Sequence, residues 1–134
     1  MLVLNPRSVV FGSSTWAGVT SVSVDRDAER LVAEIGASGP HVVLADVPEQ
    51  RVRVRVVQEM EGDDLGSPTP GEQAALGFVT APNASSAGQR AVDLTAVVTG
   101  VRHEVSRRGG AVRTVSLLAV SPDGVSDPVS VTAV

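Results

Sequence analysis

Apolar and polar positions alternate most cleanly over residues 50–60, QRVRVRVVQEM, where Val52, Val54 and Val56 interleave with Arg51, Arg53 and Arg55. A period of two is the pattern of a strand with one buried and one wet face. The adjacent pair Val56-Val57 breaks the alternation and predicts a β-bulge or a bend there. Residues 19–25, VTSVSVD, predict a second strand; the polar residues 25–29 read as a connection, and 30–35 as a short strand or a helical turn. Residues 41–47 form an apolar run that stops at Pro48, which marks a strand end or a sheet edge because proline cannot donate to a ladder. The strongest pairing signal is farther on. Two apolar runs, 89–106 and 111–121, flank Arg107-Arg108-Gly109-Gly110 and predict a long hairpin over 89–121, bent where Val97 and Val98 stand side by side. Residues 128–134 predict a last strand with Val129, Val131 and Ala133 on one face and Pro128 at its tolerated first position.

Between these strands, residues 61–71 (EGDDLGSPTPG) form the clearest long loop and 80–88 a second polar one. Thr69-Pro70-Gly71-Glu72 has the spacing of a capping box, with proline at the first helical position, and predicts one short α-helix near 70–77. Residues 1–15 read as an N-terminal arm. The expected fold is therefore all-β, a β-sandwich or small barrel with that one helix, as a single domain over 1–134.

The length of 134 residues suffices for one hydrophobic core, and with aromatics at only 2% that core must be built from Val, Leu, Ile and Ala. All eleven basic residues are arginine and the net charge is −4, which argues against general nucleic-acid binding. No cysteine is present, so disulfides, thiolate metal sites and a cysteine nucleophile are excluded. Absence of tyrosine argues against a sugar-binding platform. The opening residues show neither a basic leader nor a long apolar run, so no signal peptide, no membrane span and cytoplasmic synthesis are expected.

Candidate chemistry is sparse. His41 and His103 lie in strand patterns without a triad, a Gly-x-Ser-x-Gly elbow or a second histidine four residues on, so no enzyme and no cofactor are expected. Asp63-Asp64 and Asp123-Gly124 with Asp127 offer oxygen ligands but not the alternating spacing of a calcium loop, and read as solvated turn carboxylates. The row Arg51, Arg53, Arg55 repels itself at about 7 Å per step and needs acidic partners. Asp25, Asp27 and Glu29 share a parity that supplies them if their segment is extended. That row is then a charge-paired outer face or a subunit contact; no aromatic interleaves with it to stack nucleic-acid bases. Trp16 is an anchor for the N-terminal segment or for a partner's pocket.

The phase-switching strand QRVRVRVVQEM, the loop SPTPGEQAALGF, the long hairpin AVDLTAVVTGVRHEVSRRGGAVRTVSLLAV and the terminal strand DPVSVTAV together resemble, in layout, the tail-tube proteins of tailed phages and contractile injection systems. The resemblance covers most of the chain. It implies a non-enzymatic virion subunit, a homo-oligomer that forms stacked, usually hexameric, rings with other tail proteins around a lumen through which DNA passes without specific binding. It further implies that residues 50–60 and 91–105 belong to an inter-subunit sheet, and that 61–71 and 1–15 contact neighbouring rings. The candidate interface residues are Trp16, Arg51, Arg53, Arg55, Asp63, Asp64, Arg107 and Arg108, with the arginine row at a seam or outside rather than on the lumen. Rival expectations are a head–tail adaptor, terminator or decoration protein, and a monomeric β-sandwich binding module.

Overall fold

The computed structural model describes residues 6–60, 66, 68–80, 88–107 and 110–133. It is all-β: β1 (Arg7–Phe11), β2 (Ser14–Thr15), β3 (Val19–Ile35), β4 (Val42–Met60), β5 (Gln73–Thr80), β6 (Arg90–Ser106), β7 (Gly110–Val120) and β8 (Ser130–Ala133). The strands form one antiparallel sheet in the order β2-β1-β5-β6-β7-β4-β3. Strand β8 lies on β6, opposite residues 90–93, on the same edge that β7 occupies from Thr95 onward.

One face of this sheet supplies the whole core. Val22 and Val24 of β3, Val54 and Val56 of β4, Leu76 and Phe78 of β5, and Val115 and Leu117 of β7 are all buried. They belong to one cluster with Val9, Phe11 and Trp16 from the other end of the strand order. A single sheet can seal one face from water only by curling until its ends approach each other, which is the geometry of a small barrel. Burial is achieved with β-branched aliphatics, as the scarcity of aromatics requires. Phe11 and Trp16 form a ring pair, centroids 5.2 Å apart.

Three local expectations change. No helix forms at 70–77. Gly71 has φ +96°, and its N–H bonds to the Val98 carbonyl while the Val98 N–H bonds to the Glu72 carbonyl, so the edge of β6 captures the turn and Gln73 enters β5. The Glu72 side chain does accept from the Thr69 N–H at 2.7 Å, the reach-back half of a capping box, but the chain that follows it is a strand. No phase break occurs at Val56-Val57 either: the alternation continues through a buried Gln58, and β4 keeps register with β7 over residues 53–60. The irregularity sits on β3, between Val19 and Ser21. The bend expected near Val97-Val98 falls between Val98 and Gly100.

The third change is the largest. Residues 25–29 are not a connection, and 30–35 is neither separate nor helical: β3 runs unbroken over 17 residues and pairs along its length with β4. Pro48 lies within β4 rather than at its end, at an irregularity between the pairs Arg30/Glu49 and Val32/Asp46, and on the stretch where β4 is a sheet edge with β3 as its one neighbour among the described residues, as the edge alternative expects. The 89–121 hairpin forms as β6 and β7, with Ser106 opposite Gly110.

Candidate functional site

Among the described residues, strand β4 joins β7 only from Arg53 onward, and β3 has β4 as its single neighbour in the sheet. The outer part of this hairpin, closed by residues 36–41, is thus a two-stranded arm that leaves the sheet. From Ala28 to Ile35 it extends roughly 25 Å at the usual rise per residue. Three register irregularities fall along it, between Ala28 and Arg30, Arg30 and Val32, and Glu34 and Ile35, and such bulges tighten the twist of a ribbon.

The two faces of the arm differ. Ala33 pairs with Ala45, and alternation places Leu31 and Ile35 with them, so that face is wholly apolar. Val32 pairs with Asp46 and Glu34 with Leu44, so the other face mixes aliphatic and acidic residues. Both are open to water: Leu31 is 62%, Ile35 67%, Val43 70% and Leu44 52% exposed. A lone two-stranded ribbon is marginally stable in water, and contiguous exposed aliphatics with unpaired strand edges mark a contact surface.

At the base of the arm the arginine row finds its partners. Asp25 stands opposite Arg53, Asp27 opposite Arg51 and Ser23 opposite Arg55. Arg51 also bonds Glu29 at 2.7 Å, and farther out Arg30 approaches Glu49 at 3.9 Å. These pairs are exposed and individually weak, but they fix which face of the ribbon is which. With Thr99, Ser116 and Leu118, the row lines a shallow groove on the convex side of the sheet.

Of the remaining sequence candidates, Trp16 is 8% exposed and packs on Phe11, with the Arg113 guanidinium 5.0 Å from its ring centroid. Arg107 is exposed at the β6–β7 turn. Asp63, Asp64 and Arg108 lie outside the described residues. The arginines, Trp16 and Arg107 are not gathered into one place. His41 is exposed at the end of the arm, whereas His103 sits in β6 opposite Arg113, its Nε2 buried without a hydrogen bond. No group of three or more metal-ligating side chains occurs among the described residues, and no helix there is long and apolar enough to cross a membrane.

A second ordered feature is the β7–β8 loop. The Asp123 carboxylate accepts from the N–H groups of Val125 (2.9 Å) and Ser126 (2.8 Å) and from the hydroxyls of Ser126 and Ser121. Those bonds, led by the Ser126 and Val125 amides, hold its carboxyl far below the usual carboxylate range. Asp127 accepts from the Val129 N–H and pairs with Arg26 of β3 at 2.9 Å, tying the loop to the arm's base.

The fold is shared with a particle tail. About 90% of this chain superposes on 86% of a chain in a structure described as the tail of an empty GTA (gene transfer agent) particle with C6 symmetry, at a TM-score of 0.57 and 14% identity. No protein-family model and no curated protein matches the sequence. The arm was the element sequence reasoning missed. Its signal was present: apolar residues 31–35 and 42–47 flank a Gly/Ser/Pro turn.

Proposed function

We propose that this chain is a non-enzymatic structural subunit of a phage tail or tail-like particle, a tube protein that forms stacked hexameric rings around a DNA-conducting lumen. The observation that carries the reading is the arm: a ribbon with aliphatic side chains on both faces, outside the core of its own subunit, in a fold shared with a chain of a C6-symmetric tail. Cyclic assembly is the economical way to cover such a surface, because each arm meets a different patch on the next copy and the ring closes without leftover contacts. The charge-paired row at the arm's base, Arg51, Arg53 and Arg55, belongs in this reading to the seam between subunits, with Arg107 at a ring contact. Trp16, buried against Phe11 and Arg113, anchors the N-terminal segment rather than the seam.

The test is the mass and appearance of the purified chain. Rings or stacked tubes by electron microscopy, with a solution mass several times that of one chain, are expected. A strict monomer at high concentration contradicts the reading, and rings of another order with no stacking would move it toward an adaptor or terminator.

A further inference from the structure

We infer that the mixed face of the arm, Val32, Glu34, Leu44 and Asp46, docks on the β8 side of the next copy, against Val125, Val131 and Ala133 with Arg90 as its cation. The inference rests on the tail-subunit reading and names the partner surface within it. In a heterologous ring contact the arm must fit a different patch of the same chain. Among the described residues, the large exposed aliphatics outside the arm are Val105, Val125 and Val131. Val131 lies in β8, and Val125 lies in the loop that leads to it.

The register fixes what accompanies them. Val131 pairs with the buried Val92 and Ala133 with Arg90, so Val131, Ala133 and Arg90 point to the same, core-facing side of the sheet. Val129 already packs against the core there, and the apolar surface continues past it to the open edge of β8. Arg90 donates to the neighbouring Gln89 carbonyl at 2.9 Å and meets no carboxylate among the described residues. Glu34 and Asp46 of the arm likewise meet no cation there, unlike Glu29, Glu49 and Asp127. Two aliphatics flanked by two carboxylates therefore face two aliphatics flanked by an arginine. Complementary potentials of this kind set register and exclude wrong partners. The seat is also held firm, because Asp123 and Asp127 lock the loop that presents Val125.

The chain has no cysteine, so introduced pairs report contacts without background. The full chain carrying Leu44→Cys and Val131→Cys is assembled, oxidised and run on a non-reducing gel, beside Leu44→Cys with Val105→Cys and each single variant. A ladder of covalent oligomers is expected only for the 44/131 pair, and Arg90→Glu should abolish the ladder while Glu34→Arg added to it restores it. A ladder for 44/105, a covalent dimer from Leu44→Cys alone, or assembled rings with no 44/131 ladder each overturn the docking surface while leaving the tail reading intact. A monomeric mass for the unsubstituted chain overturns both.

Discussion

Arg113 of β7 donates to Gln58 of β4 across the inward face of the sheet, and both side chains are more than nine-tenths buried. Gln58 in turn donates through Nε2 to the Ala17 carbonyl, while Arg113 lies over the Trp16 ring. One glutamine thus continues the valine row of β4 as a polar link to the segment that joins β2 to β3. Gln58→Leu removes that link but keeps the volume, and should cost about 2–3 kcal/mol in urea unfolding, the usual effect of stranding buried polar partners. Gln58→Leu combined with Arg113→Leu should cost less than the sum of the two single changes, because no charge then stays buried at the site.

Gly18 has φ +73°, and a Cβ there would lie 2.6 Å from the Glu59 carbonyl oxygen, while the Gly18 carbonyl accepts from the Glu59 N–H at 2.9 Å. Backbone has to move to admit any side chain. Gly18→Ala should destabilise by about 2 kcal/mol or more, read as a lower urea midpoint with an unchanged slope.

Protonation of Asp123 should release the β7–β8 loop in acid. Its folded pKa is depressed below the ordinary value of 3.8, so the folded state binds fewer protons and the stabilisation is present above that value. It is lost as pH falls below about 4. Amide resonances of Val125 and Ser126 should hold constant from pH 7 down through 4, where an ordinary carboxylate already titrates, and shift only in stronger acid, and Asp123→Ala should give the acid-like positions at neutral pH.

Arg53→Glu places a carboxylate opposite Asp25 on the exposed base of the arm. Loss of assembly with an unchanged circular dichroism spectrum is expected if the arginine row lies in the subunit seam. Unchanged assembly would return the row to a plain outer face.

What was legible in the sequence was whatever a core dictates. The Val/Arg alternation of β4, the β6–β7 hairpin and the placement of Asp25 and Asp27 against Arg53 and Arg51 all follow from which side chains must avoid water. The arm was not legible for the same reason inverted. With no core of its own subunit to face, residues 25–35 show no inside–outside contrast, and their polar start imitates a connection. The helix failed on competition: Thr69 and Glu72 make their local bond, but β6 offers Gly71 and Glu72 backbone partners, and Gly71 takes a conformation no helix continues. Gln58 misled because a buried amide reads as a polar position until its partners, 41 and 55 residues away, are known.

The central claim is that the exposed arm carries assembly, and the direct measurement is on the triple variant Leu31→Thr, Ile35→Thr and Val43→Thr. These side chains are 62%, 67% and 70% exposed and lie outside the core, so the urea midpoint should stay within the small range of surface substitutions. Sedimentation and electron microscopy should then show a folded monomer where the unsubstituted chain forms rings. Rings of unchanged mass and abundance from the triple variant would contradict the account.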